Sequence, residues 1–340
     1  MEILCSNIDH KTTYESKPIP ILRVATLATI ASTPISPSMI SSLVSNHSSQ
    51  DVIHIHLPNP MSNLALCIAR PKGKIVVFWH SDVVRQVFLM KIISPLQTWL
   101  LSRADAIIVA SQSYADSSPC LSEWKNKIHI APYGIDDIIN DIPTSEMVFI
   151  LQSIRERWPN KRIVFSLGRL VYYKGFHILI EAALHLPDDV VVLIGGSGNL
   201  ANDLQDQINR LGLENKVYLL GHLSDCEISG FFEAAEIFCL PSIYRSEAFG
   251  VVLLEAMMHS KPIVTFNIEG SGVSWVNQHG VSGLNAISGD VTSLTSCIMA
   301  LLDNPELSRS LGEGGRLRFE SNFTREKYID SIEEIHKFIL

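Results

Sequence analysis

Two glutamates separated by seven residues are the clearest candidates for chemistry in this chain. Glu247 and Glu255 lie in residues 241–257, PSIYRSEAFGVVLLEAM, between a strand pattern and a helix pattern. Backbone N–H groups of residues 249–251 would be free at the start of that helix, where they attract an anion. Glu255 would be a solvated helix residue in the simplest alternative. The leucines and methionines around it argue against this, because they predict a buried setting where an unpartnered carboxylate is costly.

A second cluster of polar residues lies in residues 168–176, GRLVYYKGF, again between a strand pattern and a helix pattern. Arg169 and Lys174 place two cations in this loop. Fixed cations stabilise negative charge that develops as a charged group leaves. Two surface cations on a loop are the alternative.

The turn Gly195-Gly196-Ser197-Gly198 also follows a strand pattern. It does not complete a G-x-G-x-x-G dinucleotide fingerprint, and no acidic residue lies plainly at a following strand end. We interpret it as a structural turn that lines a ligand cleft.

In the first half of the chain, His80 and Asp82 begin a polar loop at the carboxyl end of a predicted strand. Ligands of open α/β sheets bind beyond these strand ends. A satisfied buried histidine is the alternative for His80. His54 and His56 alternate with apolar residues in the preceding strand, and we expect them to face opposite sides and to have structural roles. The alternative is that one of them reaches the cleft.

Short β-branched runs alternate with longer amphipathic stretches throughout, which predicts an α/β fold of parallel sheets with crossover helices. Two such series predict two Rossmann-like domains, 1–140 and 141–322, followed by an amphipathic helix over 323–340. The predicted strands are Ile21–Thr26, Val52–His56, Lys74–Trp79, Ala106–Ala110, Lys127–Ala131, Arg162–Leu167, Val190–Gly195, Lys216–Leu220, Ile237–Leu240 and Pro262–Phe266. The predicted helices are Met61–Ala69, Phe88–Ser102, Phe176–His185, Leu200–Leu211, Asp225–Ala235 and Gly250–His259.

The glutamate motif and the Gly-Arg-Leu…Lys-Gly motif together resemble the retaining nucleotide-sugar glycosyltransferases of family 4. That family has the GT-B fold, in which two Rossmann-like domains face each other and the last helix crosses back to the first domain. The resemblance implies that Glu247 binds donor-sugar hydroxyls and that Glu255 binds the donor ribose. It also implies that the amides of Phe249, Gly250 and Val251 hold the sugar and diphosphate.

The resemblance extends to the other loops. It implies that Arg169 and Lys174 clamp the leaving diphosphate beside Gly168, and that Gly196 lies near the donor phosphates. His80 would face the reacting sugar carbon, with Asp82 on the acceptor side, and would position a group without acting as a base. The loop at residues 269–277 resembles a cleft loop whose amides at residues 271–273 contact substrate.

The run SIYRSEAFG, with GSGVSWVN after it, looks most like mannosyltransferases of bacterial O-antigen and exopolysaccharide assembly. This implies GDP-mannose as donor and a lipid-linked saccharide as acceptor, with retention of anomeric configuration and no cofactor or required metal. A UDP-sugar donor and a non-catalytic nucleotide-binding remnant are the alternatives.

The beginning of the chain departs from the family pattern. Family members begin with a strand, a glycine-rich loop that contacts the donor diphosphate, and a helix. Residues 1–40 contain no glycine, and the first residues match a later strand of the family. We therefore expect the N-terminus to be truncated and the first domain to lack that strand and loop.

Composition limits the partners. The formal net charge is −8, from 27 Lys and Arg against 35 Asp and Glu, so bulk charge argues against nucleic-acid binding. No secretory signal or membrane-spanning segment is predicted, and the six scattered cysteines predict a cytoplasmic protein. The stretch 87–103 is basic and aromatic. It is predicted either to lie in the interface of the inner membrane or to pack in the core.

Overall fold

A computed structural model of the chain describes residues 2–16, 18–30, 33–46, 50–83, 87–139 and 144–340; side chains are not described at residues 33, 46, 87–92 and 144. The described chain forms two compact units. The first contains residues 1–110, 118–131 and 333–340, and the second contains residues 111–117 and 132–332. The predicted boundary between residues 140 and 141 lies outside the described residues.

The first unit is built on a four-stranded parallel sheet in the order β6-β7-β8-β9. Two smaller sheets precede it, β1-β3-β2 and the antiparallel pair β4-β5. Its elements are β1 (Ile3–Ser6), β2 (Thr13–Glu15), β3 (Ile21–Val24), β4 (Ala28–Ile30), β5 (Thr33–Ile35), α1 (Ser38–Asn46), β6 (Val52–Leu57), α2 (Pro60–Ala69), β7 (Lys74–Trp79), α3 (Val87–Arg103), β8 (Ala106–Val109) and β9 (Ile128–Ile130).

Apolar strands make the core of this unit. β7 and β8 are almost fully buried along their length, as strands covered on both faces must be. β6 alternates instead, with Ile55 and Leu57 buried while His54 and His56 are exposed on the other face. The prediction that these two histidines face opposite sides is wrong, because residues two apart on a strand share a face.

The second unit contains a six-stranded parallel sheet in the order β12-β11-β10-β13-β14-β15. Its elements are α4 (Gln112–Ser117), α5 (Thr144–Arg157), β10 (Arg162–Leu167), α6 (Phe176–Ala182), β11 (Val190–Gly195), α7 (Ala201–Arg210), β12 (Val217–Gly221), α8 (Asp225–Ala234), β13 (Ile237–Leu240), α9 (Val252–Met258), β14 (Ile263–Asn267), α10 (Val273–Val276), β15 (Gly283–Ile287), α11 (Val291–Leu302), α12 (Pro305–Asn322) and α13 (Arg325–Ile339). This order is that of a doubly wound dinucleotide-type sheet, whose strand order reverses between β10 and β13.

Several elements escaped the sequence prediction. No helix was predicted between the strands at Lys127–Ala131 and Arg162–Leu167, but residues 144–157 form α5. This helix packs against α8, where a methyl group of Ile150 occupies the space beside Gly230. α13 agrees with the predicted terminal helix, and its last residues, 333–340, belong to the first unit. Ile335 is buried, whereas Phe338 is 75% exposed, so the predicted apolar stripe is covered only in part.

Candidate functional site

Two loops of the second unit meet at the point where its strand order reverses. One follows β10 and the other follows β13, and these two strands pair in parallel. A Cβ on Gly175 would lie 2.0 Å from the carbonyl oxygen of Pro241, and Ile243 N–H donates to the Tyr173 carbonyl at 2.9 Å. Ligands of doubly wound sheets bind in the crevice outside such a reversal. The sequence motifs are therefore brought together where this fold binds ligands.

A buried ion pair joins the two loops. Lys174 Nζ lies 2.5 Å from Glu247 Oε2, and both residues are 9% exposed. Glu247 Oε2 also accepts a hydrogen bond from the hydroxyl of buried Ser242 at 2.9 Å. A charge removed from water needs a partner of opposite sign, and the ammonium of Lys174 and the carboxylate of Glu247 are each other's partner. The pair keeps a cation and an anion at fixed positions in the crevice.

Arg169 differs from Lys174 although the two share a loop. Its side chain is exposed, and no hydrogen bond or ion pair is assigned to it among the described residues. Its backbone is held at its edges, because Gly168 N–H donates to Gly195 O and Leu170 N–H to Ser197 O. An exposed guanidinium on a fixed backbone suits binding of an oxyanion from solvent.

The Gly195–Gly198 turn packs directly on the loop that contains Arg169. Gly196 has φ +124°, and a Cβ there would lie 2.0 Å from the Gly168 carbonyl oxygen. A Cβ on Gly198 would lie 2.3 Å from the Leu170 carbonyl oxygen. These close backbone approaches explain the glycines. They support the interpretation of this turn as a structural one.

The segment before α9 carries the predicted amides. Gly250 has φ +80°, which favours glycine, and α9 begins at Val252 rather than at Gly250. Within the described part of the chain, no hydrogen bond is assigned to the N–H groups of Phe249, Gly250 and Val251. The Phe249 side chain is buried and packs edge-to-face on Tyr133. Only its backbone is available to a ligand.

Glu255 lies in α9 and is largely buried. Burial raises the pKa of its carboxyl from 4.5 to about 7, and the Asp225 carboxylate adds to this shift. No hydrogen bond to its side chain is assigned among the residues described. A carboxylate in this environment gains free energy when hydroxyl groups donate to it.

The loop at residues 270–272 does not fit its predicted role. Ser271 N–H donates to Ile268 O, Gly272 N–H to Ala248 O and Val273 N–H to Ser271 Oγ. The expectation that these three amides contact substrate is wrong, because all three are used within the protein. Ser271 Oγ also bonds the main-chain oxygen of Glu247, so the loop supports the glutamate.

His80 follows β7 in the first unit and is joined to a second histidine. Its Nε2 lies 2.8 Å from Nδ1 of His56, and the two rings stack with centroids 5.1 Å apart. Burial, with a smaller contribution from His56, lowers the pKa of His80 from 6.5 to about 4. His80 is therefore neutral at pH 7 and is suited to hydrogen bonding.

Asp82 has contacts that fix the loop. Its Oδ1 accepts hydrogen bonds from Trp79 Nε1 at 2.9 Å and from Ser118 Oγ at 2.7 Å. These bonds tie the loop after β7 to the residue after α4. The residues that follow, Val84 to Gln86, lie outside the described part of the chain.

The structure bears only on the second half of the stretch 87–103, which was predicted to lie in the membrane interface or to pack in the core. The side chains of residues 87–92 lie outside the described ones, whereas Leu100 and Leu101 are buried in the first unit. The second half of α3 is therefore a core helix. No helix in the described ranges has the length and apolarity needed to cross a bilayer.

Sequence reasoning missed the partners of the site residues. Ser242 lay within the glutamate motif, and its position five residues before Glu247 gave no sign of their hydrogen bond. The shared face of His54 and His56 was available from strand periodicity. The bond between His54 Nε2 and His336 Nε2, 2.7 Å long, joins residues far apart in sequence, so no local pattern could reveal it.

Comparison with known proteins gives matches over most of the chain. Residues 1–137 match the family model described as Glycosyltransferase Family 4, and residues 151–318 match Glycosyl transferases group 1. O-antigen chain mannosyltransferase C of Escherichia coli is 34% identical over 98% of this chain and 85% of its own length. D-rhamnosyltransferase WbpZ of Pseudomonas aeruginosa is 31% identical over 87% of this chain and 75% of its own length.

Solved structures share the fold. Sucrose-phosphate synthase from Thermosynechococcus elongatus has a TM-score of 0.80 at 19% identity, covering 99% of this chain and 88% of that one. Anabaena Alr3699/HepE with UDP and glucose has a TM-score of 0.76 at 21% identity, covering 94% and 86%. These likenesses confirm the predicted α/β, GT-B fold class. The two family models and the relatives above 30% identity establish that the chain belongs to the family 4 glycosyltransferases.

Proposed function

We propose that this glycosyltransferase moves mannose from GDP-mannose to a lipid-linked saccharide, with retention, in the assembly of O-antigen or a related polysaccharide. The observation that carries the proposal is the buried ion pair between Lys174 and Glu247. It joins the two loops that the sequence motifs identified, outside the point where the strand order of the sheet reverses. The E. coli relative is described as an O-antigen chain mannosyltransferase, which supports mannose and the pathway class.

The donor would lie across the two loops of the second unit. Lys174 and Arg169 would bind the diphosphate and stabilise its charge as the bond to the sugar breaks. The amides of residues 249–251 would add uncharged donors to the same group. Glu247 would accept hydrogen bonds from sugar hydroxyls, and Glu255 from the ribose hydroxyls.

His80 would hold a sugar or acceptor hydroxyl as a neutral imidazole. Its pKa of about 4 leaves it unprotonated at pH 7, so it does not serve as a general acid. In a front-face mechanism the leaving phosphate takes the acceptor proton, and no protein base is required. We propose that the reaction needs no metal ion or cofactor.

The acceptor proposed here is a saccharide on a lipid diphosphate, which places the enzyme at the cytoplasmic face of the inner membrane. The first half of α3 supports this through its sequence, which combines apolar residues with Lys91. Interfacial helices of this composition bind anionic lipid surfaces.

A UDP-sugar is the second candidate donor. The observation in its favour is the fold likeness to Anabaena Alr3699/HepE, whose structures contain UDP, UDP-glucose, or UDP and glucose. Both candidates use the same diphosphate and ribose contacts, so they differ in the base and the sugar.

The proposal is tested by incubating the purified chain with a lipid-diphosphate saccharide extract and radiolabelled GDP-mannose or UDP-glucose. We expect labelled product from GDP-mannose, and none from the Glu247→Gln variant at matched concentration. Product from UDP-glucose alone would show that the donor is UDP-glucose and not GDP-mannose. Absence of product from both, while GDP still raises the Tm, would indicate the non-catalytic remnant.

A further inference from the structure

The carboxylate of Glu247 has its two oxygens in different situations. Lys174 Nζ and Ser242 Oγ both contact Oε2, at 2.5 Å and 2.9 Å. Among the described residues, no hydrogen bond is assigned to Oε1. One oxygen is therefore occupied by the protein, and the other is left to accept a bond from a ligand.

Ser242 is held in one place. It is fully buried two residues after the end of β13, and the N–H of its neighbour Ile243 donates to the Tyr173 carbonyl. The main chain at Glu247 is fixed as well, because its N–H donates to Tyr244 O and its carbonyl accepts from Ser271 Oγ. With the backbone fixed, the remaining freedom of Glu247 is rotation of its side chain.

Lys174 alone does not remove that rotation. A lysine ammonium is a compact charge on a flexible stem and attracts either carboxylate oxygen equally. A hydroxyl donor on a fixed serine is directional, because a hydrogen bond weakens as its angle departs from linearity. Ser242 is thus the group that distinguishes Oε2 from Oε1.

We propose that Ser242 is a positioning residue that orients the Glu247 carboxylate, so that Oε1 is presented to a hydroxyl of the donor sugar. The inference rests on the proposed function, in which Glu247 binds the donor sugar. It adds a specificity element: Ser242 affects recognition of the sugar and leaves recognition of the nucleoside diphosphate unchanged.

The test measures the Kd of GDP-mannose and of GDP by calorimetry on the full chain and its Ser242→Ala variant. We expect GDP-mannose to bind about five- to tenfold more weakly, the typical net effect of one hydrogen bond, and GDP to change less than about twofold. Ser166→Ala is the matched control, because Ser166 is equally buried and its hydroxyl donates to Cys239 O. It should lower the Tm similarly and change neither Kd.

A double-mutant cycle shows whether Ser242 acts through Glu247. In a Glu247→Gln background, Ser242→Ala should weaken GDP-mannose binding by less than about twofold further. An undiminished effect in that background, or equal losses for GDP and GDP-mannose, would make Ser242 merely structural and overturn the inference.

The donor assignment has its own readout in the same measurements. UDP-glucose and UDP are titrated in parallel, and the cycle is run on whichever pair the unmodified chain binds. Binding of neither sugar nucleotide would overturn the proposed function and the inference together. Normal donor binding with no change in Ser242→Ala would overturn only the inference.

Discussion

The strand ends of the two units carry opposite kinds of chemistry. In the second unit a buried cation and anion, Lys174 and Glu247, are locked together beside the exposed Arg169. In the first unit the stacked rings of His56 and His80 are neutral at pH 7, because partial shielding from solvent lowers the pKa of each. Fixed charge suits a ligand that is itself charged, whereas neutral imidazoles suit hydroxyl groups. The difference teaches that two parallel α/β sheets can present opposite kinds of chemistry at their strand ends.

The largest effect should come from breaking the charge pair. Lys174→Met leaves the Glu247 carboxylate buried without its partner, which should cost about 3–5 kcal/mol in stability and at least about 10²-fold in turnover. The double variant Lys174→Met/Glu247→Gln removes both charges. It should regain most of the stability but none of the activity, as measured by urea unfolding and sugar transfer. Recovery of activity in the double variant would contradict a role for fixed charge.

The exposed cation of the same loop sharpens the contrast. Arg169→Ala should lower turnover about tenfold by removing a charge near the leaving diphosphate. Its Tm should stay within about 1 °C, because an exposed side chain contributes little to stability. A Tm loss as large as that of Lys174→Met would show that Arg169 contributes to stability as much as Lys174 does.

Glu255 should give donor binding a dependence on pH. Its carboxyl has a pKa of about 7, and in the proposed function the ionised form would accept the ribose hydroxyls. GDP-mannose, whose phosphates do not titrate near neutrality, should therefore bind more tightly as pH rises from 6 to 8. Glu255→Gln should bind about tenfold more weakly at pH 8 and lose this dependence. A pH profile unchanged by the substitution would remove Glu255 from the ribose site.

The histidines of the first unit should make the stability of the protein depend on pH below about 6.5. The pKa of His54 is lowered to about 4, mainly by burial and then by His336, as is that of His80 by burial and His56. Below about 6.5 the unfolded chain takes up protons that the folded rings refuse, so stability falls as pH drops towards 4. Between pH 6.5 and 5, each ring should lower the free energy of unfolding by about 1 kcal/mol; this figure is already reduced because the rings are partly exposed to solvent.

The check is chemical unfolding followed by circular dichroism across that range. His54→Gln should flatten the loss, and the exposed His185→Gln should leave it as in the unmodified chain. An equal slope in all three proteins would place the acid sensitivity elsewhere.

The smallest effect is expected from metal removal. Dialysis against EDTA should leave the transfer rate unchanged, because in the proposed function Lys174 and Arg169 would supply the positive charge that a metal would otherwise provide. A rate that falls and returns with added Mg²⁺ would show that these cations are not enough.

The sequence predicted the longer buried strands better than the short strands, for a physical reason. β10, β11 and β13 are buried runs ended by glycine or proline, and their bounds are those predicted. β2, β4 and β5 have three residues each, too few for a hydrophobic period to appear. These three strands were therefore missed, although β3 of the same region was predicted.

The candidate site divides in the same manner. Glu247, Glu255 and Lys174 were identified because local motifs surround them. The Lys174–Glu247 pair, the Ser242 hydrogen bond and the His56–His80 bond depend on which strands lie side by side, a property of topology that short motifs do not contain. The amides of residues 271–273 were misassigned because nothing in the sequence indicates which N–H groups are already used.

The path of the chain limits how the protein can be dissected. It passes from one unit to the other after residues 110, 117, 131 and 332. A gene fragment that stops at residue 131 therefore lacks the last residues of the first unit, including His336, the partner of His54. Expressing that unit alone requires a fusion that brings residues 333–340 back, and a circular permutant that joins the two termini is the direct way to build one.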